Sequence, residues 1–206
     1  MDEIQELRLE AQALFNDKHY YEACSAYSEL LEKIFTPETP LSLEVCRDFT
    51  NYGKCLILSA ESDEEEDVDA SLEIAWEVLE NARHGYDLID QDGSYDSELI
   101  EVHELLAEVA TKNGNIDEAQ DQYKIAADIG LLNPSISWRI TLNNLFMRSV
   151  ILKAGRLLVP ARDALDEAIR YIDEQLKKVG KEQDKTELLK FKEEMITRKE
   201  ELKDAK

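Results

Sequence analysis

The strongest constraint on the fold is a spacing of small residues that recurs four times along the chain. Each copy has an alanine, a tyrosine or leucine four positions later, and an alanine or leucine three positions after that. The four copies are Ala23-Tyr27-Leu30, Ala75-Leu79-Ala82, Ala119-Tyr123-Ala126 and Ala161-Leu165-Ala168. Three of the copies have a small residue twelve positions upstream, namely Ala11, Ala107 and Ser149. Because small residues let two antiparallel helices approach closely, the spacing predicts repeated helical hairpins.

The second copy breaks this spacing. Its upstream small residue is Gly53, which stands twenty-two positions before Ala75, so that ten residues have been inserted. The inserted region carries a run of acidic side chains that we assign to a loop over 61–69. These are Glu61, Asp63, Glu64, Glu65, Glu66, Asp67 and Asp69. A hairpin repeat interrupted by an acidic run indicates a protein that binds a basic partner.

A period of about 34 residues of helix-turn-helix is the tetratricopeptide (TPR) pattern. We therefore predict an all-α fold, a TPR-like helical-hairpin solenoid of four repeats with a C-terminal capping helix, as one domain over 1–206. The repeats cover 4–37, 41–90 with the acidic insertion at 61–69, 97–131 and 136–178, and the capping helix covers 183–204. The eight repeat helices are expected at 4–17, 20–35, 41–60, 69–90, 97–112, 116–130, 136–154 and 158–178. Asp69 or Ser71 is expected to cap the fourth of them.

The charge of the chain restricts its partners. Asp and Glu number 46 against 24 Lys and Arg, a net charge of -22, and residues 177–206 alone carry +2. The electrostatic field of this net charge repels nucleic acid and anionic membranes and attracts cations. An acidic composition can also serve solubility alone. No apolar run reaches eighteen residues, and the chain begins with acidic residues, so neither a membrane span nor a secretory signal is expected. The three cysteines lack paired spacing and are expected to be free thiols.

Four apolar residues of the last predicted helix fall on one stripe, at Leu188, Phe191, Met195 and Leu202. Such a stripe is compatible with a partner or membrane surface. We prefer the interpretation that it packs on the last repeat and closes the end of the solenoid.

Four stretches of the sequence carry a resemblance to a known family. They are Tyr52-Gly53-Lys54, the segment 71–79 with Leu72-Glu73-Ile74-Ala75-Trp76, the segment 103–109, and the tail 200–206. In these the chain resembles the interrupted-TPR histone chaperones of the nuclear autoantigenic sperm protein family and its fungal relatives. The family often has a far longer acidic insertion than the run at 61–69 of this chain.

The resemblance implies that the protein binds histones H3–H4, with linker histone or a centromeric H3 variant as further partners. It implies a role in histone escort, storage or chromatin assembly, in the nucleus and also in the cytoplasm. Direct contact with nucleic acid or membrane is not expected, and no cofactor is implied.

Repeat geometry suggests which side chains would line a binding groove. Counting the small packing residue as position eight, the concave positions of the third repeat are Glu101, Glu104 and Glu108, which share one helix face. The matching positions of the second and fourth repeats are Arg47, Thr50, Lys54, Asn143, Phe146 and Val150. We therefore predict an acidic groove with Glu101, Glu104, Glu108, Asn143 and Phe146 as histone-binding residues. The alternative is that the glutamates form an ordinary solvated face.

No residue pattern indicates catalysis or a metal site. The three histidines have no partner at metal spacing, and a partial calcium-loop pattern from Asp90 has Tyr95 where glycine is required. Two other functions remain open. A TPR co-chaperone adaptor that grips an acidic tail would use the cations or amides of Arg8, Asn16, Arg47 and Lys54. A general protein-interaction scaffold would show no preference for cationic ligands.

Overall fold

The computed structural model describes residues 3–36, 40–61, 67–90 and 92–204. Within these ranges the chain is all-α, with nine helices and no strand. The helices are α1 (Glu3–Asn16), α2 (Tyr20–Ile34), α3 (Leu43–Ser59), α4 (Val68–Ile89), α5 (Asp96–Lys112), α6 (Ile116–Leu132), α7 (Trp138–Ala154), α8 (Leu158–Lys178) and α9 (Glu182–Asp204). Each predicted helix has a counterpart whose ends lie within two residues of the prediction. The predicted fold class is confirmed.

One detail of the prediction is wrong. Helix α4 is capped by Asp67, whose carboxylate accepts a hydrogen bond from the backbone N–H of Ala70 at 3.1 Å. Neither Asp69 nor Ser71 is the cap, because both already lie inside the helix. One residue of the acidic insertion therefore has a structural task at the start of a helix.

The chain divides into two compact units, Met1–Asn113 with α1–α5 and Gly114–Lys206 with α6–α9. We call them the first and second units. The boundary falls inside the predicted third repeat, at a turn where Gly114 has the left-handed φ of 71° that the Asn-Gly-Asn sequence indicates. That residues 1–206 form one domain, with four repeats at the bounds given above, stays a prediction.

In the first unit each helix packs on the next in chain order, and α3 also contacts α5. Ala11 and Ala23 are fully buried in one cluster with Tyr27, as the repeat spacing requires. The two helices of the interrupted hairpin, α3 and α4, also pack closely against each other. A Cβ atom added to Gly53 of α3 would lie 2.6 Å from Cγ of Leu79 in α4. Glycine at this position therefore lets α3 and α4 pack directly in spite of the ten inserted residues.

A buried ion pair links α1 to α3. The guanidinium of Arg8 donates three hydrogen bonds of 2.7–3.0 Å to the carboxylate of Asp48, whose side chain is 4% exposed. Burial raises the pKa of the Asp48 carboxyl above its ordinary value, while Arg8 acts in the opposite direction. Arg8 is therefore a half-buried side chain that connects α1 to the buried Asp48 of α3.

In the second unit α7 packs on α6 and α8, and α9 packs on α8. Three residues of the predicted stripe on α9 are buried, namely Leu188, Met195 and Leu202. Phe191 departs from the prediction, because it is 36% exposed. Helix α9 therefore covers α8 along most of its stripe and leaves one aromatic ring partly uncovered. Within the described ranges, no helix combines the length and the apolar character needed to cross a membrane.

Candidate functional site

The three glutamates of the predicted groove lie on α5 in the first unit. Glu101, Glu104 and Glu108 are each half-buried, and their spacing puts them on one side of the helix. Helix α3 runs beside α5 and brings its own charged side chains to the same region. The glutamates therefore belong to a surface that two helices build together.

Ion pairs connect the two helices of this surface. Arg47 Nη2 lies 2.9 Å from Glu98 Oε1, and Lys54 Nζ lies 2.6 Å from Glu101 Oε1. At the end of α5, Lys112 pairs with Glu61 and lies 3.8 Å from Glu108. We call this surface the paired face. Its members are Arg47, Lys54, Glu61, Glu98, Glu101, Glu104, Glu108 and Lys112.

The repeat count therefore placed Arg47 and Lys54 on the same surface as the glutamates. It misplaced Thr50, which is buried and donates its hydroxyl hydrogen bond to the carbonyl of Cys46 at 2.9 Å. The paired face also differs from the expected acidic groove in its charge pattern. A carboxylate with one lysine partner still has acceptor sites for further donors. The face can therefore accept cationic groups, in competition with its own lysines.

The carboxyl pKa of Glu108 is perturbed by its surroundings on the paired face. Burial raises the pKa of its carboxyl above the ordinary value of 4.5, Lys112 opposes the increase, and Glu61 adds to it. The native protein consequently binds a proton at Glu108 more tightly than the unfolded chain does. The stability of the fold therefore depends on pH through Glu108. Between the raised native pKa and the ordinary value of 4.5, the native state holds more protons at this carboxyl than the unfolded chain does.

We expect Glu108→Gln to reveal this linkage. The contribution of Glu108 to the free energy of unfolding should increase as the pH falls through that window, and it should be lowest above it. Urea unfolding of the wild type and of Glu108→Gln at a series of pH values measures the difference. Glu10→Gln, at an exposed position on α1, is the control. A difference between wild type and Glu108→Gln that does not change with pH would contradict the assignment.

The acidic insertion is described only at its ends. Glu61 follows α3 and pairs with Lys112, Asp67 caps α4, and Asp69 lies exposed in the first turn of α4. The other predicted members lie outside the described residues; they are Asp63, Glu64, Glu65 and Glu66. The ends of the insertion thus connect to α5 and to the backbone of α4.

The remaining two predicted residues, Asn143 and Phe146, line a cavity of about 270 Å³ in the second unit. The cavity lies between α7 and α9. Phe146 is half-buried, and the guanidinium carbon of Arg198 lies 4.9 Å from its ring centroid. The other apolar lining residues are Trp138, Leu142, Phe191 and Met195. We call this the apolar cavity.

The predicted stripe assigned Phe191 to packing, and no sequence pattern indicated that Phe191 and Trp138 would line a cavity. At one end Arg139 lies 4.2 Å from the Trp138 ring centroid and donates hydrogen bonds to Asp184 and Glu187 of α9. The place of Phe191 on an apolar stripe indicated burial, so the sequence carried no signal for its partial exposure. An aromatic cavity with fixed charges at its edge fits an apolar side chain whose neighbours are polar.

The two units differ completely in charge. The first unit holds 29 of the 46 acidic residues and seven of the 24 Lys and Arg, a net charge of -22. The second unit holds 17 of each and is neutral. The attraction for cations therefore belongs to the first unit. In the described part of the chain, no group of three His, Cys, Asp or Glu side chains is arranged to hold a metal ion.

Comparison with solved structures agrees with the fold. The chain has a TPR-like helical-repeat fold, and it is similar to a putative kinesin light chain of Podosopora anserina with nearly identical TPR-like repeats. That match has a TM-score of 0.63 at 12% identity and covers 98% of this chain and 99% of the other. A second structure of that protein matches with a TM-score of 0.61 at 13% identity, and the match covers 96% of this chain and 98% of the other.

A further similar structure is BtubC (BKLC) from P. vanneervenii, with a TM-score of 0.54 at 12% identity. It covers 98% of this chain and 80% of the other. No protein-family model matches the sequence, and no curated protein matches it. At identities of 12–13% the solved structures establish the repeat fold and do not identify a binding partner.

Proposed function

We propose that this protein is a protein-interaction module that binds histones H3–H4 and acts as a histone chaperone in escort, storage or chromatin assembly. The observation that carries the proposal is the confinement of the whole net charge of -22 to the first unit. That unit also contains three of the four stretches that carry the family resemblance, two of them in the interrupted hairpin α3–α4. Histones are strongly cationic, so a partner of this kind is favoured by the long-range field.

The paired face supplies a mechanism for recognition. Lys54 and Lys112 keep Glu101 and Glu108 in position, and arginine side chains of a histone would add to or replace these lysines. Arginine forms bidentate hydrogen bonds with carboxylates, which a lysine cannot do. The exchange therefore favours a guanidinium-rich partner, and the acidic insertion would increase the rate of encounter.

The apolar cavity offers a separate contact in the second unit. A leucine or phenylalanine on a basic amphipathic helix would bury its side chain beside Phe146 and Trp138, with Asn143 at the edge. Such an anchor adds specificity that acidic side chains alone do not provide. Linker histone and a centromeric H3 variant are further candidate partners, and the nucleus, with the cytoplasm in addition, is the proposed location.

Size-exclusion chromatography of the purified protein with H3–H4 tests the proposal. We expect a stoichiometric complex that survives physiological salt. A protein that elutes separately from H3–H4 at that ionic strength would contradict the proposal.

A co-chaperone adaptor for an acidic tail is less well supported. The side chains that it would need are engaged within the first unit, since Arg8 pairs with Asp48 and Arg47 with Glu98. Titration with an acidic C-terminal peptide distinguishes the two functions. Tight binding of that peptide together with no binding of histones would favour the adaptor, and equal binding of neutral and cationic ligands would favour a general scaffold.

A further inference from the structure

Two of the three cysteines meet where α2 packs on α3. Cys55 of α3 lies inside the core cluster around Tyr27, and Cys24 of α2 packs against the edge of that cluster. The two thiols are hydrogen-bonded to each other, and both are free in this structure. They stand 31 positions apart in the sequence, so the packing of two helices brings together a pair that the cysteine spacing does not indicate.

The register between α2 and α3 holds the pair in place. The hydroxyl of Ser28 on α2 is hydrogen-bonded to the hydroxyl of Tyr52 on α3. An advance from Cys24 to Ser28 along α2 is therefore matched by a return from Cys55 to Tyr52 along α3, as expected for antiparallel helices that pack side by side. Because the two contacts agree in register, helix packing keeps the thiols close, and their proximity does not depend on a single rotamer.

An oxidant can reach one thiol of the pair. Cys24 is half-buried and lines a groove of about 430 Å³ formed by α2, α3 and α4, whereas Cys55 is fully buried. Glu29 and Glu32 line the same groove, and the first unit carries a net charge of -22. This field repels an anionic oxidant and does not repel hydrogen peroxide, which is small and uncharged. A neutral peroxide is therefore the class of oxidant that suits the pair.

The surroundings of the two thiols assign a different role to each. The hydrogen bond with Cys24 raises the pKa of the Cys55 thiol, and burial acts in the same direction. Cys55 therefore stays protonated and shielded, and Cys24 is the sulfur that meets the oxidant. Its thiolate attacks one oxygen of the peroxide, so that an S–O bond forms and the O–O bond breaks. The departing hydroxide takes up the proton that the thiol gave up, which leaves a sulfenic acid and water.

The second step consumes the neighbouring thiol. The sulfur of Cys55 attacks the sulfenic sulfur of Cys24, an S–S bond forms and the S–O bond breaks. The proton of the Cys55 thiol goes to the departing hydroxide, which leaves as water. Two thiols are thus oxidised to one disulfide, and one peroxide is reduced to two waters.

We propose that Cys24 and Cys55 are a site of reversible oxidation, at which a neutral peroxide joins α2 to α3 through an intramolecular disulfide. The bond connects the hairpin α1–α2 to the interrupted hairpin α3–α4, and a thiol reductant restores the two thiols. A crosslink between these positions restricts the unfolded chain, so the oxidised first unit resists unfolding more than the reduced one does. The site is independent of the proposed histone binding, because no partner takes part in the reaction.

Peptide mapping of the unmodified protein tests the site. Reduced protein is treated with hydrogen peroxide, the remaining thiols are blocked with iodoacetamide in denaturant, and the digest is analysed by mass spectrometry without reduction. We expect a linked pair of peptides that contain Cys24 and Cys55, which dithiothreitol separates. Non-reducing electrophoresis should show no covalent dimer. Loss of the Cys24 thiol without a link to Cys55, or a link between two chains, would overturn the proposal.

Cys46 is the internal control for the mapping. It is fully buried and lies against Gly85 of α4. It also stands nine positions before Cys55 on the same helix, which is about 13.5 Å along the axis. We expect Cys46 to be recovered as a single alkylated thiol. Links that involve Cys46 at a yield equal to that of Cys24 with Cys55 would mean that oxidation is not selective, and would contradict the assigned pair.

Trapping the sulfenic acid with dimedone tests the order of the two steps. Cys55→Ala lacks the second thiol, so its Cys24 should give roughly fivefold more dimedone adduct than Cys24 of the wild type. Cys46→Ala makes the same substitution at the cysteine outside the pair and should match the wild type. Equal adduct in all three proteins would overturn the assigned roles. If Cys55→Ala does not fold, the mapping of the wild type still decides whether the disulfide forms.

Urea unfolding followed by circular dichroism measures the effect of the disulfide on the fold. The midpoint for the first unit should lie roughly 1 M or more higher in the oxidised wild type than in the reduced wild type, and dithiothreitol should remove the shift. Cys24→Ser treated with the same peroxide should show no such shift. A linked protein whose midpoint is unchanged or lower would mean that the disulfide does not fit the packing of α2 on α3, and would overturn the proposal.

Discussion

Arg8→Ala is expected to lower the free energy of unfolding of the first unit by about 3 kcal/mol, because it leaves a buried carboxylate without its partner. Asp48 is 4% exposed and receives three hydrogen bonds from Arg8. Urea unfolding followed by circular dichroism measures the loss. Replacing both members with apolar residues, Arg8→Met with Asp48→Leu, should cost less than the single substitution, since no buried charge remains.

Arg83→Ala is the matched control for that experiment. Arg83 also makes multiple hydrogen bonds with carboxylates, to Glu80 and Asp87, but all three side chains lie on the surface of α4. Exposed pairs of this kind contribute about 0.5 kcal/mol. If Arg8→Ala and Arg83→Ala have equally small effects, the link between α1 and α3 is not the stabilising contact described here.

Reversal of Glu101, Glu104 and Glu108 to lysine should weaken binding of H3–H4 roughly a hundredfold or more. A hydrogen bond to a charged group contributes about 1.5 kcal/mol, and about 1.4 kcal/mol is a factor of ten in affinity. The reversal also places new lysines beside Lys54 and Lys112, so repulsion adds to the loss. Isothermal titration in physiological salt measures the affinity, and a melting curve shows whether the fold survives.

Two controls separate local contact from the general field. Glu6→Lys, Glu10→Lys and Asp17→Lys together change the net charge by the same amount at exposed positions outside the paired face. This variant should lose less than about tenfold in affinity. Glutamine in place of the three glutamates of α5 removes their charge without adding like charges. Equal losses for the two sets of reversals would remove the paired face from the proposed mechanism.

The positions of the helices were predictable because their cause is local. Small residues at the helix crossings, such as Ala23 and Gly53, appear at fixed spacing and identify each hairpin directly. The boundary at Gly114 also has a local signal, since asparagine and glycine favour the left-handed backbone that the turn adopts. The division of charge between the units follows at once when that boundary is known, but it is not evident from composition.

The contacts of the candidate site were less predictable. Which cation meets which carboxylate depends on the stagger between α3 and α5, and that stagger is set by packing along both helices. The pairing of Lys54 with Glu101 therefore could not be read from the repeat count that named both residues. Phe191 illustrates the same limit, because its place on an apolar stripe indicated burial and the fit of α9 left it partly exposed.

The claim that this protein recognises H3–H4 is tested most directly by measuring how three histone ligands bind the same immobilised protein over a series of salt concentrations. The ligands are H3–H4, the other core-histone dimer and linker histone. If the protein recognises H3–H4 through contacts in addition to its electrostatic field, all three should bind in low salt, and H3–H4 should remain bound near physiological salt after the other core-histone dimer has dissociated. Three ligands that dissociate together as the salt rises would contradict the claim, and would leave a nonspecific acidic scaffold.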